Sequence, residues 1–379
     1  MLNVNITQFL MVFLFLQVIV SEAYAQTVKP KVEPSLKEIF KDKFYMGVAI
    51  NRSQAEGKDK KAVSIISDQF NSISPENDLK WEKIHPKKDV YDFTHADAYV
   101  DFGLRNNMFV IGHTLVWHSQ TPDWVFEDSN GKPLTREALL KVMQNHITTV
   151  VIRYKGKIKG WDVVNEAFNE DGSYRKSKWY SIIGEDFIEK AFEYAHAAYP
   201  NAELYYNDYN LYKPEKRAGV LKLIERLKAK NVALTAVGEQ GHYGLNTPLI
   251  DEVEKTITDF KKAKVIVNFT ELDINVLPDI AENVTADVSN NAVYNAKYDP
   301  YKKSLPKEIS KKLADRYGSF FKLFVKHADA ISRITFWGVT DADSWLNNWP
   351  MPGRTNYPLL YSKDYKPKND VINTIKSTL

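Results

Sequence analysis

The chain has no cysteine among its 379 residues. Disulfides, thiolate metal sites and cysteine nucleophiles are therefore excluded, although this absence does not by itself place the protein inside a cell. It also lacks an excess of either charge. Its 51 basic and 48 acidic side chains give a net charge of +3, too balanced for the electrostatic footprint of a nucleic-acid binder. Beyond the first 35 residues no Gly/Ser/Pro-rich or low-complexity stretch divides the chain, so no second folded domain is expected. No glycine-rich phosphate fingerprint follows the first strand-like run, which weighs against a nucleotide-binding fold. Long apolar runs are scarce as well. The one present, Phe9 to Val20 with only Gln17 interrupting it, is about 12 residues, short of the roughly 20 that span a bilayer. Ala23-Tyr24-Ala25 follows it, so residues 1–25 read as a signal peptide with an A-x-A cleavage site, although no Lys or Arg precedes the run. The expectation is a protein exported to the periplasm, cell surface or medium, with no membrane span once the signal is removed. Residues 26–42 read as a polar, Pro-containing leader and residues 43–379 as the one folded domain.

What is present is a large core. Hydrophobic residues are 44% and charged residues 26%, a balance that rules against global disorder. The 8 Trp and 21 Tyr add core mass, and they also offer flat apolar faces with a polar edge, suited to the C–H side of a sugar ring. Short β-branched or aromatic runs recur at Tyr45–Ile50, Asn71–Ser74, Phe109–Gly112, Gly160–Val164, Glu203–Tyr206, Leu234–Val237, Val265–Phe269 and Arg333–Phe336. Helical patterns lie between them. Leu139, Met143, Ile147 and Val150 line one face behind Thr135 as N-cap, and Ile188, Ala191, Phe192 and Ala195 line another that Pro200 terminates. Alternating strands and helices imply parallel βα units, in an open doubly wound sheet or a closed barrel. Nearly every run ends on a polar group: Glu76-Asn77, His113, Asn165-Glu166, Asn207-Asp208, Gln240/His242, Glu271 or Trp337. A closed barrel brings all its strand ends to one mouth, whereas an open sheet gathers only those near its switch point. The expected fold class is therefore α/β, a (β/α)8 TIM barrel.

Two of these ends carry a carboxyl emerging from an apolar run, Glu166 in WDVVNEA and Glu271 in TELDI. Either alone could be a solvated strand-end acid. As a pair they point to the two carboxyl groups of glycosidic cleavage. These segments, together with ENDLKW (76–81), GHTLVWHSQ (112–120), YYNDYN (205–210), GEQGHY (238–243) and TFWGVTDADSWL (335–346), resemble the signature of the family-10 glycoside hydrolases, the retaining endo-1,4-β-xylanases. The resemblance runs in order from about residue 43 to the C-terminus. It implies Glu166 as general acid/base and Glu271 as nucleophile. It further implies that His242 hydrogen-bonds the nucleophile, with Asp273 buffering the histidine, and that Asn165 binds the sugar 2-hydroxyl. Gln240 and Trp117 would wall the reacting sugar. Glu76, Asn77, Lys80 and His113 would grip the non-reducing side, and Trp337 and Trp345 would roof the substrate.

The implied partner is xylan or a xylo-oligosaccharide, acted on by a monomer without metal or cofactor. Plainer alternatives exist for single residues. Glu76 and Lys80 have the spacing of an i, i+4 helical ion pair, and Trp337 and Trp345 could be core. His113 and His118 fit no common zinc spacing. Asp208 and Asn210 read as barrel-mouth scaffold. Asn283-Val284-Thr285 is a formal glycosylation sequon, and residues 278–301 form a long polar loop beside the leaving-group side. At the level of the whole chain, the rivals are another retaining barrel glycosidase acting on β-glucan or cellulose, and a glycan-capture protein without catalysis.

Overall fold

The computed structural model describes residues 33–278, 280 and 292–379. The expected signal peptide, the first part of the leader, the sequon and the middle of the 278–301 loop lie outside the described residues. The compact unit begins at Ser35, earlier than the expected boundary at residue 43. Ser35 caps a short helix, Leu36–Ile39, and Leu36 and Phe40 are fully buried. The polar residues that make this stretch look like leader conceal two anchors spaced one helical turn apart.

Among the described residues nine parallel strands are formed: β1 (Tyr45–Ile50), β2 (Ser72–Pro75), β3 (Phe109–Trp117), β4 (Gly160–Asn165), β5 (Glu203–Asp208), β6 (Ala236–Glu239), β7 (His242–Gly244), β8 (Ile266–Asn275) and β9 (Ile331–Phe336). Eight of them run in the order β6-β5-β4-β3-β2-β1-β9-β8, and β6 pairs with β8 to close the cylinder. The fold is a closed (β/α)8 barrel. Helices fill the crossovers, as parallel neighbours require. The helix Arg136–Arg153 between β3 and β4 is capped by the Thr135 side chain accepting from the Ala138 N–H, and it buries Leu139, Met143, Ile147 and Val150 completely. Each such side chain contributes about 1.5–3 kcal/mol relative to exposure. The helix Phe187–Ala198 between β4 and β5 ends before Pro200 and buries Ile188, Ala191, Phe192 and Ala195. Among the described residues no helix is long and apolar enough to cross a membrane.

Alternation along each strand sorts side chains between the helix-facing core and the barrel axis. On β4, Trp161 and Val163 join the main core, whereas Asp162 between them reaches across to His113 on β3. Two strands run further than the apolar pattern indicates, β3 to Trp117 and β8 to Asn275. Their pairing carries register irregularities at His113/Val116 and Phe269/Leu272. Bulges of this kind re-aim side chains next to functional sites. The extension of β8 also gives β7 its partner, His242 pairing with Asp273.

Candidate active site

At the carboxyl ends of the strands lies a cleft of about 220 Å³. It is lined by Glu76, Asn77, Lys80, His113, Trp117, Gln120, Asn165, Glu166, Gln240, His242, Glu271, Trp337 and Trp345. All the residues expected there meet at this one mouth except Asp273, which stands directly behind His242.

Glu166 follows the last residue of β4 and is only 5% exposed. Gln240 Nε2 donates to its Oε1 (2.9 Å), Trp117 Nε1 to its Oε2 (2.8 Å), and Asn165 Nδ2 lies 3.2 Å from Oε1. Burial raises its pKa, the negative charge of Glu271 adds to the rise, and the Gln240 and Trp117 bonds offset only part of it. The backbone at Glu166 has φ of +56°, a left-handed conformation that costs a side-chain-bearing residue about 1–2 kcal/mol.

Glu271, on β8, is equally buried but tuned the other way. Burial pushes its pKa up, yet the hydrogen bond from His242, the charges of the His113 and His242 rings and the Asn207 amide together bring it below the ordinary value. His242 Nε2 lies 3.1 Å from Glu271 Oε2, and its Nδ1 lies 3.1 Å from Asp273 Oδ1. Burial alone would lower the histidine, but Asp273 and then Glu271 outweigh it and raise its pKa to about 10. It is therefore a cation at neutral pH, and its proton points at Glu271. Trp345 Nε1 donates to the other oxygen of Asp273 (2.8 Å), fixing this indole beside the histidine at 4.7 Å between ring centroids. One buried site thus holds a carboxyl biased towards protonation and a carboxylate biased towards ionisation.

On the adjoining wall, Lys80 donates to Asn77 Oδ1 (3.0 Å) and Gln120 Oε1 (2.8 Å), with its ammonium 4.9 Å from the centre of the Trp117 ring. Residues 76–80 are not helical, so the i, i+4 helical pair is not what joins Glu76 to Lys80. Burial raises the pKa of Glu76 and lowers that of Lys80. Holding both groups in a cleft is expensive unless a polar ligand completes their partners. Asp162 Oδ2 lies 2.9 Å from His113 Nδ1, which leaves the other ring nitrogen for the cleft. Trp337 and Trp345 line the cleft half-exposed rather than joining the core.

Three contributors had no role assigned from sequence. Gln120 joins the Lys80 cluster through Asn77 and Glu82. Asp162 orients His113. Asn207 donates through Nδ2 to both Asn165 Oδ1 (2.8 Å) and Glu271 Oε1 (2.9 Å), and accepts from Thr270 Oγ1 (2.7 Å). It is the amide that couples the two carboxyl strands, and Gly238 makes room for it, since a Cβ there would lie 2.1 Å from its Oδ1. Asn207 stood in view as a strand-end polar residue, but nothing local distinguished it from its neighbour Asp208.

A closed parallel barrel carrying two buried carboxyl groups of opposite bias at its carboxyl-end mouth defines a glycoside hydrolase. Residues 35–377 match the family model "Glycosyl hydrolase family 10", and the chain belongs to that family. An endo-1,4-beta-xylanase A of Xylanibacter ruminicola is 49% identical over 91% of this chain and 93% of its own length. A beta-1,4-xylanase of Dictyoglomus thermophilum is 41% identical over 90% and 91%. Among solved structures, a GH10 endoxylanase retrieved from a sugarcane soil metagenome superposes with a TM-score of 0.88 at 44% identity, covering 90% of this chain and all of that one.

Proposed function

We infer that this chain is an endo-1,4-β-xylanase that cleaves internal β-1,4-xylosidic bonds of xylan with retention of anomeric configuration. The observation that carries the reading is the opposite tuning of the two buried carboxyl groups, on a chain whose relatives of nearly full matching length are xylanases. Glu271 is the nucleophile. Its ionised carboxylate attacks the anomeric carbon as the glycosidic C–O bond breaks. Glu166 is the acid/base, and its proton passes to the departing oxygen. The first step converts Glu271 to an uncharged ester, which removes the repulsion that favoured the proton on Glu166. Glu166, left ionised by that transfer, stays so and takes a proton from the water that releases the sugar. Asn165, held by Asn207, binds the 2-hydroxyl, where the bond strengthens as positive charge develops on the ring.

Asn77, Lys80, Glu76 and His113 grip the sugars on the non-reducing side, and Trp337 and Trp345 cover them. Xylose lacks the C6 hydroxymethyl group of glucose, and we assign its exclusion to Trp345, fixed by Asp273, and Gln240, fixed by Glu166. The protein acts outside the cytoplasm as a monomer, with residues 1–25 as its export signal. Mass spectrometry of products from xylan, arabinoxylan, cellulose and mixed-linkage glucan tests the substrate, and proton NMR of the first product anomer tests retention. Release of gluco-oligosaccharides at a rate matching xylan, or an α-anomer as first product, would overturn the reading.

A further inference from the structure

A buried polar network lies beneath Glu166 and reaches none of the cleft. Tyr206, Asp208 and Lys216 are fully buried and absent from the cleft lining. We propose that Tyr206, directed by the Asp208–Lys216 ion pair, is the positioning residue that holds the left-handed backbone at Glu166 and so aims the acid/base carboxyl. This assignment rests on the acid/base role given above to Glu166.

A non-glycine residue at φ +56° persists only where its surroundings over-determine it. Both polar backbone groups of Glu166 and the N–H that follows it are engaged. The Glu166 N–H donates to the Asn207 carbonyl (2.9 Å), and the Glu166 carbonyl accepts from Arg175 Nε (3.1 Å). The next N–H, of Ala167, donates to the Tyr206 hydroxyl (3.0 Å). A phenol has one proton. Here it goes to Asp208 Oδ2, which obliges the phenolic oxygen to accept from Ala167. Asp208 in turn is held by Lys216, whose ammonium is 2.9 Å from its Oδ1, with both side chains wholly excluded from solvent. The Tyr209 N–H donates to the same Oδ1 (2.9 Å).

The network then returns to the loop that carries Glu166. Lys216, on the helix Pro214–Ala229, also contacts Glu170 (3.2 Å), four residues after the acid. Gly172 of that loop sits so close to the helix that a Cβ would lie 2.3 Å from the Glu215 carbonyl oxygen. The Glu166 turn is thus clamped from two sides by β5 and by the helix that follows it.

The test compares kcat/KM for two xylobiosides, a 2,4-dinitrophenyl glycoside whose leaving group needs no proton and a phenyl glycoside whose leaving group does. Tyr206→Phe should lower kcat/KM for the phenyl glycoside about tenfold or more while leaving the dinitrophenyl value within about twofold, because a misaimed acid fails only where protonation is needed. Asp208→Asn provides a second route should the first variant not fold, with circular dichroism reporting folding. Lys216 and the Tyr209 N–H retain the amide oxygen, so the amide N–H faces the phenol and reverses the hydrogen bond beneath Ala167. The same leaving-group signature should result. Glu166→Ala, run in parallel, separates the two readings. If it discriminates between the substrates and folded Tyr206→Phe and Asp208→Asn do not, or lose both activities equally, the positioning role is wrong. If Glu166→Ala itself fails to discriminate, the acid/base assignment falls and this inference falls with it.

Discussion

Replacing Gln240 with methionine isolates one of the forces that tune the acid. Methionine keeps the length of the side chain but removes the N–H that donates to Glu166 Oε1 at 2.9 Å. A hydrogen bond to a charged group contributes about 1.5–3 kcal/mol, and each pKa unit corresponds to about 1.36 kcal/mol. The bond stabilises the ionised carboxylate, so losing it should raise the pKa of Glu166 by about 1–2 units above its already elevated value. The sign matters for both half-reactions. Glycosylation needs Glu166 protonated, so the basic limb of the kcat/KM profile should move to higher pH by that amount. Deglycosylation needs it ionised, so kcat for dinitrophenyl xylobioside, limited by the second step, should fall at pH values below the pKa that Glu166 has in the glycosyl-enzyme, which the loss of the bond raises too. The assay is the pH dependence of both constants from about pH 4 to 10. A basic limb that stays in place or moves down would refute the view that this amide holds the charge of Glu166.

Glu271→Ala should abolish turnover, and azide should restore it in part with inverted configuration, whereas azide rescue of Glu166→Ala should give the retained glycosyl azide; the same anomer from both would reverse or cancel the division of roles. Glu271→Gln removes the neighbouring negative charge and should lower the pKa of Glu166, read by carbon-13 NMR of labelled glutamate; an unchanged or raised value would mean the two groups are not coupled. His242 is raised from 6.5 to about 10 in the folded protein, so the stability it contributes is complete below about pH 6.5 and is lost as pH climbs towards 10. Urea unfolding between about pH 7 and 9.5 should therefore show wild-type stability falling up to about 1.4 kcal/mol per pH unit more steeply than that of His242→Gln. Parallel curves would contradict the charged histidine.

Much of the barrel was legible because its signals are local. The core faces of Arg136–Arg153 and Phe187–Ala198, the Thr135 cap and the start of β1 follow from spacing of apolar residues and from side-chain chemistry within one or two turns. The strands that were misjudged are those that leave the regular ladder. β3 and β8 continue past His113 and Glu271 because their neighbours accept an irregular register, and periodicity within one strand carries no record of its neighbour. β7 was missed for the same reason, since three residues become a strand only when the end of β8 lies beside them.

Which chemical groups arrive at the mouth can be read from the order of residues alone, because each strand delivers the residue at its carboxyl end wherever the barrel closes. The sequence also sufficed to recognise the family, through motifs that keep their order from Glu76 to Leu346. How those groups behave depends on the folded arrangement. Glu166 and Glu271 are the same amino acid at the ends of similar strands. One is biased to keep its proton by burial and a neighbouring charge, the other to lose it through His242, His113 and Asn207. Their controlling partners lie far away along the chain: Gln240 is 74 residues from Glu166, and Asn207 is 64 from Glu271. Desolvation and charge act through distances of a few ångströms, and those distances exist only after the cylinder has closed.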